Sequence, residues 1–423
     1  MRHLCGPFLP VLACLWAAAL CPSGAHAQPT PGVSASGHPG DAVRVSLVTF
    51  GAGDSVHQYF GHDALMVDVR GRRSLYNYGM FSFGPDMLAN FLMGRLTFWV
   101  AEMRVAPTYS FYRMMRRSIR VQELDLSPEA RVRVALKLAD NVLPDNRDYL
   151  YHHYYDNCAT RLRDVVDMAV DGQLKAAMSK VPSRHTYRGH TRRYTQHDPF
   201  IDVGLQFMMN DSMEQPITLW EQAFLPSELA NYLEEFEYTD AQGNRRRLVK
   251  RDDKIYDARR APIPDDPYRQ WPLTLLLGCV LGGVAVLLAR RYGRSDSRGA
   301  RVLFGLHHVL FGLLLGVPGL LGALCWGFTE HAVTYGNENM WHANPMTTAM
   351  LPLGIAIATG SSRALSWAWR LCHAIVLVSV LGILSKALPV FDQDNWVVMT
   401  LIVPTNVGFL LAHRALRAMR TGS

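Results

Sequence analysis

A single cysteine stands out among the residues that can do covalent chemistry. Of the seven cysteines in the chain, three lie in the first 27 residues and three lie in long apolar stretches, namely Cys5, Cys14, Cys21, Cys279, Cys325 and Cys372. Cys158 therefore stands alone in the polar part of the chain. A disulfide in an exported domain would need a pair of cysteines. The Cys158 thiol is either an inert buried group or a nucleophile.

The residues around Cys158 predict the start of an amphipathic helix. Apolar side chains recur at the spacing of one helix face, at Leu162, Val165, Val166 and Ala169. Asp156 or Asn157 is a suitable N-cap, which places Cys158 in the first turn. Unpaired backbone N–H groups and the helix dipole favour a thiolate there. A nucleophile benefits from this position, whereas a structural cysteine has no need of it.

A cysteine nucleophile needs a general base, and we expect His62 to act as one. Residues 43–50 and 62–69 read as strands, and a third strand follows over 74–80. His62 stands at the start of the second strand, behind Gly61, which lets another backbone segment approach closely. The alternative is a solvent-facing strand histidine. The other candidate bases are His57, His152, His153 and His185.

The third predicted strand offers a residue to orient the imidazole, as Cys–His sites usually require. Asn77 is the first candidate, and Tyr76 and Tyr78 are the alternatives. Successive side chains of a strand point to opposite faces, so Asn77 and the two tyrosines face opposite sides. The register between the strands decides between them. The predicted catalytic set is thus Cys158 and His62 with one of these three residues.

Residues 1–27 have the pattern of a secretory signal peptide. Arg2 supplies a positive charge, residues 9–20 form a short apolar run, and Ala25-His26-Ala27 matches a cleavage site. The apolar run is too short to span a bilayer. We therefore expect the domain that follows to be exported.

The remaining chain divides at a proline-rich segment, because repeated prolines prevent a helix from continuing. Residues 28–261 are predicted to form a periplasmic Cys–His domain, 262–271 a linker and 272–423 a transmembrane domain of five helices. The apolar segments are 272–289, 302–325, 346–360, 371–388 and 396–413. The third is short and contains Pro352, so a re-entrant segment is the alternative.

Charge predicts the orientation of these segments. With the N-terminal domain outside, the inner connectors carry ten arginines, namely Arg290, Arg291, Arg294, Arg298, Arg301, Arg363, Arg370, Arg414, Arg417 and Arg420. Lys386 is the one basic residue at the outer side. This asymmetry predicts a bacterial inner-membrane protein with a cytoplasmic C-terminus. Ten arginines exceed the net charge of +7, so the basic composition indicates topology rather than nucleic-acid binding.

Five polar residues are predicted to contact substrate. Tyr155, Asn157 and Arg161 flank Cys158, while His331 and Asn339 lie in a connector rich in His and Asn between the second and third apolar segments. Such a connector is either an interface anchor or a docking surface for a headgroup or another substrate group.

Two arginine-rich clusters are either solvated faces or contacts to phospholipid headgroups. They contain Arg113, Arg116, Arg117 and Arg120, and Arg245, Arg246, Arg247, Lys250 and Arg251. The sequence has no compact His, Cys and carboxylate spacing typical of a metal site and no glycine loop typical of a nucleotide site. No cofactor is expected.

Four short stretches together resemble one known family. They are Phe60-Gly61-His62, Tyr76-Asn77-Tyr78-Gly79, Asp156-Asn157-Cys158-Ala159-Thr160-Arg161 and Phe224-Leu225-Pro226. In this order and spacing they resemble the Lnb N-terminal periplasmic domain family, which takes its name from a Bacteroides-type lipoprotein N-acyltransferase. The similarity spans roughly 43–237. The C-terminal half looks like the membrane part of the same family.

The resemblance implies an α+β papain-like domain, a permuted relative of NlpC/P60 enzymes, followed by an all-α transmembrane domain. In that arrangement the histidine strand precedes the cysteine helix. The implied activity moves an acyl chain from a phospholipid through a Cys158 thioester to an amine, the N-terminus of a lipoprotein. One alternative is an NlpC/P60-like cysteine peptidase or amidase acting on cell-wall peptide. The other is a non-catalytic envelope assembly factor.

Overall fold

The computed structural model describes residues 38–82, 84–295 and 297–421. The predicted signal peptide lies outside the described residues, as does the beginning of the predicted periplasmic domain. The described chain contains an α/β part built on an antiparallel sheet, followed by apolar helices from Trp271 onward. This confirms the predicted succession of an α and β domain and a helical region.

The strands of the described residues form one large sheet and one small hairpin. Their bounds are β1 Val43–Phe50, β2 His62–Val69, β3 Arg72–Met80, β4 Thr97–Arg104, β5 Ile119–Leu124, β6 Asp148–Leu150, β7 Glu237–Thr239, β8 Arg245–Arg247 and β9 Val249–Tyr256. The seven-stranded sheet has the order β6-β4-β3-β2-β1-β5-β9, and β7 pairs with β8. The strands predicted at 43–50 and 62–69 are confirmed, and the third begins at Arg72. Arg70 and Gly71 both have positive φ, the signature of a tight hairpin that fixes the register of β2 and β3.

Helices pack on both faces of the sheet. Their bounds are α1 Pro85–Met93, α2 Val105–Met114, α3 Pro128–Asn141, α4 Cys158–Ala169, α5 Gln173–Met178, α6 Tyr187–Thr195, α7 Pro199–Met208, α8 Leu219–Gln222 and α9 Pro226–Glu235. The larger core lies between α3, α4, α9 and the face of β2 that carries Leu65. The smaller core lies on the opposite face, where Ala64 and Phe50 pack near α2. Because both faces are covered, β2 carries apolar residues on both faces, such as Ala64 and Leu65.

Five apolar helices follow the sheet domain. They are α10 Trp271–Ser295, α11 Arg298–Phe328, α12 Pro345–Thr359, α13 Ser362–Ser385 and α14 Trp396–Thr421. Four of them are long and apolar enough to cross a membrane, and α12 is shorter. The predicted linker has neither helix nor strand, and α10 begins at Trp271.

The short helix α12 packs along α11 toward the end of the bundle that lies away from the sheet domain, here called the distal end. Gly305 and Gly354 let the two backbones touch, since a Cβ on Gly305 would lie 2.5 Å from the Gly354 carbonyl oxygen. Arg301 Nε donates to the Ala358 carbonyl at 3.3 Å. α12 corresponds to the third predicted segment. That five segments span the membrane stays a prediction.

The connector 329–344 fills the opposite, proximal end of the bundle. Met340 packs against Gly322, and Asn406 Nδ2 donates to the His342 carbonyl at 3.0 Å. These residues fill the space at the proximal end that the short helix α12 leaves unoccupied.

The first and last helices of the bundle run in the same direction and touch through glycines. Gly278 lies opposite Leu401, and Gly282 lies opposite Gly408. A Cβ on Gly408 would lie only 2.1 Å from the Gly282 Cα. The α10 and α14 backbones therefore meet without intervening side chains.

The sheet domain is fixed to the proximal end by three amide side chains. Asn337 and Asn339 donate from Nδ2 to the Phe207 carbonyl at 2.8 and 3.0 Å. Gln393 Nε2 donates to the Met209 carbonyl at 2.9 Å. We call Asn337, Asn339 and Gln393 the anchor cluster. It holds the C-terminal end of α7 against the bundle.

Candidate functional site

Cys158 is the first residue of α4. Asn157 Oδ1 accepts a hydrogen bond from the Thr160 backbone N–H at 2.9 Å, and Thr160 Oγ1 accepts one from the Asn157 N–H at 2.8 Å. This capping box fixes the first turn of the helix and with it the Cys158 side chain. The thiol is partly exposed.

The Cys158 thiol is neutral at rest. Burial raises its pKa to about 12, and the charge of Asp63 adds to this rise. Backbone N–H groups of Asp63 and Ala159 act in the opposite direction and are outweighed. The backbone N–H groups at the helix start favour the thiolate as expected, but desolvation disfavours the charged form more strongly. Reaction at Cys158 requires a base.

His62, the predicted base, is the first residue of β2. Its Nε2 lies 3.3 Å from Asn77 Oδ1, and its ring stacks with Phe50 and Tyr112. The pKa of His62 is lowered to about 4. Burial is the largest cause, the charge of Arg117 acts in the same direction, and the hydrogen bond to Asn77 opposes both. The imidazole is neutral at pH 7. With its Nε2–H donating to Asn77, its Nδ1 lone pair is free to accept a proton.

Three groups converge where Gly79 lacks a side chain. Gly79 has a φ of 93°, and a Cβ at this position would lie 3.9 Å from Tyr149 Oη, 4.0 Å from Cys158 Cβ and 4.0 Å from His62 Cε1. The β3–β4 register also shifts between Asn77 and Met80. Tyr149 Oη is buried and has no hydrogen-bond partner within the described residues. The irregular end of β3 thus lets Cys158, at the start of α4, and His62, at the start of β2, approach the same small space.

The register of the sheet separates Asn77 from the two tyrosines. Asn77 pairs with Ala64, on the face that carries His62. Tyr76 and Tyr78 belong to the core on the opposite face, where Tyr78 Oη accepts a hydrogen bond from Asn141 at 2.6 Å. The structure therefore brings Asn77, and neither tyrosine, into hydrogen-bonding distance of the imidazole.

The other candidate histidines have partners of their own. His57 packs edge-on against Phe81, and His153 Nδ1 lies 3.3 Å from Tyr151 Oη. His152 Nδ1 accepts hydrogen bonds from two backbone N–H groups of its own turn. His185 Nε2 bonds to the Asp265 carbonyl at 2.8 Å.

Two buried charges beside the pair were not predicted as site residues. Asp63 is fully buried and accepts a hydrogen bond from Thr49 Oγ1 at 2.7 Å, and burial raises its pKa well above the usual range. Arg117 is buried, and its Nε donates to the Gly51 carbonyl at 2.7 Å. The charge of Arg117 acts on both Cys158 and His62.

Sequence reasoning grouped Arg117 with three other arginines. Arg113 and Arg116 are exposed, as a solvated cluster would be, whereas Arg120 forms ion pairs with Glu234 and Asp252. Their spacing in the sequence gives no signal that Arg117 alone is buried beside the site.

The predicted substrate-binding residues next to Cys158 differ in exposure. Tyr155 is 53% exposed and is available to a ligand. Asn157 is buried, with Nδ2 donating to the Phe224 carbonyl at 2.9 Å. Arg161 forms an ion pair with Asp156. Asn157 and Arg161 therefore shape the loop before α4.

The structure places His331 and Asn339 at the junction between the sheet domain and the bundle. His331 Nε2 donates to the Phe91 carbonyl at 2.8 Å, and Asn339 belongs to the anchor cluster. Their role in substrate binding stays a prediction. Within the described residues, no three His, Cys, Asp or Glu side chains are grouped to hold a metal ion.

The comparison with known families identifies the sheet domain. Residues 37–193 match the family described as the Lnb N-terminal periplasmic domain. This range contains Cys158, His62, Asn77 and Tyr149. No curated protein and no solved structure matches the chain. Residues 37–193 are therefore an Lnb N-terminal periplasmic domain, which precedes four helices long and apolar enough to cross a membrane.

Proposed function

We propose that the protein is a thiol acyltransferase that moves an acyl chain from a phospholipid to an amine, the N-terminus of a lipoprotein. The convergence of Cys158 and His62 at Gly79, with His62 Nε2 3.3 Å from Asn77 Oδ1, carries this proposal. A thiol beside a neutral imidazole is equipped for acyl transfer. The anchor cluster supports a lipid donor, because it fixes the domain to helices suited to a membrane.

In the first step, His62 Nδ1 accepts the proton of Cys158 as the sulfur attacks the ester carbonyl of the phospholipid. Backbone N–H groups at the start of α4 stabilise the oxyanion. The carbon–oxygen bond to glycerol then breaks, and the leaving oxygen takes the proton from His62. The products are a lysophospholipid and an acyl thioester on Cys158.

In the second step, an amine attacks the thioester carbonyl. His62 accepts a proton from the attacking nitrogen, an amide bond forms and the bond to sulfur breaks. The proton on His62 returns to the Cys158 thiolate, which restores the resting state. Asn77 acts as a positioning residue by holding the imidazole through Nε2.

The proposal includes a permuted papain-like fold and an inner-membrane location with a cytoplasmic C-terminus. The fold is supported by chain order, since the histidine strand precedes the cysteine helix. The location is supported by arginines at the distal end, where Arg301 bonds to the Ala358 carbonyl.

Intact mass spectrometry tests the function directly. The full-length protein in detergent is incubated with phospholipid, and the wild type is compared with Cys158→Ala. We expect a wild-type adduct of one fatty-acyl mass that hydroxylamine releases, matched by release of lysophospholipid. Cys279→Ala, which changes an exposed bundle cysteine, is the matched control and should retain the adduct.

An adduct that persists in Cys158→Ala would overturn the proposal. So would a wild type that forms neither adduct nor lysophospholipid while its Cys158 alkylates readily. In the second case, cleavage of peptidoglycan fragments would indicate the peptidase alternative.

A further inference from the structure

Helix α1 exposes a cluster of apolar side chains. Leu88, Phe91, Leu92 and Met93 are 64, 49, 55 and 38% exposed. A contiguous apolar patch of this kind is uncommon on a soluble surface and marks a site of contact with protein or membrane. Its surroundings decide which of the two it meets.

The apolar cluster is continuous with the lipid-facing surface of a membrane helix. The Glu330 N–H donates to the Met93 carbonyl at 2.9 Å, which holds the end of α1 against the residues that follow α11. The last turn of α11 exposes Trp326 (53%) and Phe328 (74%). Aromatic residues at the end of a spanning helix typically lie at the membrane–water interface. The neighbour that α1 meets at this level is therefore the bilayer.

A half-open cavity of ≈ 190 Å³ lies between α1 and β4. It is lined by Phe81, Ser82, Gly84, Met87, Asn90, Leu96, Thr97, Phe98 and Trp99. For comparison, an apolar cavity of roughly 150 Å³ is large enough to bind benzene. The space therefore accommodates several methylene groups.

A stack of aromatic rings leads from this cavity toward Cys158. The rings of Phe81 and Phe98 are 5.2 Å apart, and those of Phe98 and Tyr151 are 4.2 Å apart. Tyr151 is close enough to Cys158 that a charge on the sulfur acts on its hydroxyl. Phe81 also follows Gly79 by two residues. One wall thus runs from the membrane-facing helix to the candidate site.

We propose that α1 lies in the bilayer surface and that the cavity beneath it receives part of one acyl chain of the donor phospholipid. The chain enters beside α1 and follows the aromatic wall, which brings its ester carbonyl to Cys158. The membrane contact stands independently, whereas the acyl-chain assignment rests on the proposed acyltransferase function.

Photocrosslinking tests the membrane contact. Full-length protein is placed in phosphatidylethanolamine and phosphatidylglycerol vesicles that contain a phospholipid with a diazirine on one acyl chain. We expect lipid adducts within residues 85–99 besides those on the bundle. Leu92→Glu should reduce the yield of these adducts about tenfold. The variant loses roughly the free energy of burying one leucine side chain in the bilayer.

Leu136→Glu is the matched control for the photocrosslinking. Leu136 is 66% exposed on α3, a helix of the sheet domain. We expect this variant to label like the wild type. Absence of lipid adducts from residues 85–99 would overturn the proposal, and protein–protein crosslinks at these residues would assign the apolar cluster to contact between copies of the chain.

Acylation measurements test the cavity. In Leu92→Glu, acylation of Cys158 by vesicle phospholipid should be about tenfold slower, by the same loss of apolar burial. Acylation by soluble p-nitrophenyl acetate should proceed at the wild-type rate. Met87→Trp should shift the preferred donor toward shorter acyl chains, because the larger side chain fills the space. An unchanged chain-length profile would overturn the acyl-chain assignment.

The two proposals fail separately. If the wild type is acylated by neither donor while lipid adducts still form at residues 85–99, the acyltransferase function and the acyl-chain assignment fail and the membrane contact stands. If both donors acylate Cys158 but no such adducts form, the acyltransferase stands and the membrane contact fails.

Discussion

The candidate site and the anchor cluster contain similar polar side chains in opposite circumstances. At the site, Asn77 Nδ2 and Tyr149 Oη are buried without hydrogen-bond partners among the described residues. In the anchor cluster, the amide nitrogens of Asn337, Asn339 and Gln393 all donate to backbone carbonyls of the sheet domain. A buried polar atom without a hydrogen-bond partner lowers stability unless a ligand supplies the missing hydrogen bond. The site is suited to receive a molecule, and the anchor cluster is suited to hold two parts together.

This difference shows why residue type alone does not identify a binding site. Both regions are rich in asparagine, and sequence reasoning assigned Asn339 to substrate binding. The partners of the amide nitrogens distinguish the two regions, since Asn339 Oδ1 is itself buried without a hydrogen-bond partner among the described residues.

His62→Ala should have the largest effect on Cys158 acylation. Loss of a general base typically costs about 10²–10⁴ in rate. We expect a loss near the middle of that range, measured by mass spectrometry of the acyl adduct over time. Thermal unfolding should show that the variant remains folded. A rate within about threefold of the wild type, far below that range, would remove His62 from the proposed mechanism.

Gly79→Ala should rank second, with a loss of about 10²-fold if misplacement of reacting groups dominates. Its Cβ would lie at ordinary van der Waals distance from Tyr149, Cys158 and His62, so it would leave these groups in place and occupy the space between them where the substrate carbonyl has to bind. Gly243→Ala is the matched control, because Gly243 also has positive φ but has open space around it. Both variants should lose about 1 kcal/mol of unfolding free energy from backbone strain. If Gly243→Ala slowed acylation equally, crowding at Gly79 would not be the cause.

Asn77→Ala should have a smaller effect that depends on pH. Wild-type acylation by a soluble ester should fall as the pH drops through about 4, because protonated His62 cannot accept a proton. The hydrogen bond to Asn77 raises the pKa of His62, so its removal should move this acid limb to lower pH. We expect about a tenfold slower rate above the limb, by loss of imidazole orientation. An acid limb that moved to higher pH would contradict this assignment.

Asn339→Ala should have the smallest effect on the chemistry. Acylation by a soluble ester should remain at the wild-type level. Loss of the hydrogen bonds from Asn339 to backbone carbonyls should lower the unfolding free energy by about 1–3 kcal/mol. Thermal unfolding and the acylation rate of the same preparation provide both readouts. A slower reaction without loss of stability would instead support the predicted substrate role of Asn339.

Much of the site could be predicted because its parts are local in sequence. The apolar centre of β2, the tight turn at Arg70 and Gly71, and the cap at Asn157 each depend on residues that are adjacent in the sequence. These features locate His62 at a strand start and Cys158 at a helix start. The choice of Asn77 over the tyrosines needed the pairing of Asn77 with Ala64, which the sequence leaves open.

Other features depend on contacts between distant residues. Strand β9 pairs with β5, which is distant from it in the sequence, and no local pattern identifies this partner. Arg117 is buried beside the site although Arg113 and Arg116 in the same arginine-rich cluster are exposed. The thiol pKa reflects burial by surrounding segments, which outweighs the local effect of the helix start.

The glycine contact between α10 and α14 has a consequence for biosynthesis. The ribosome completes α10 before it makes α14, yet Gly282 packs against Pro404 and Gly408 of α14. The bundle therefore cannot close until α14 has been made. A chain truncated before α14 would leave the glycine-lined groove of the first membrane helix open, as a target for quality-control proteases.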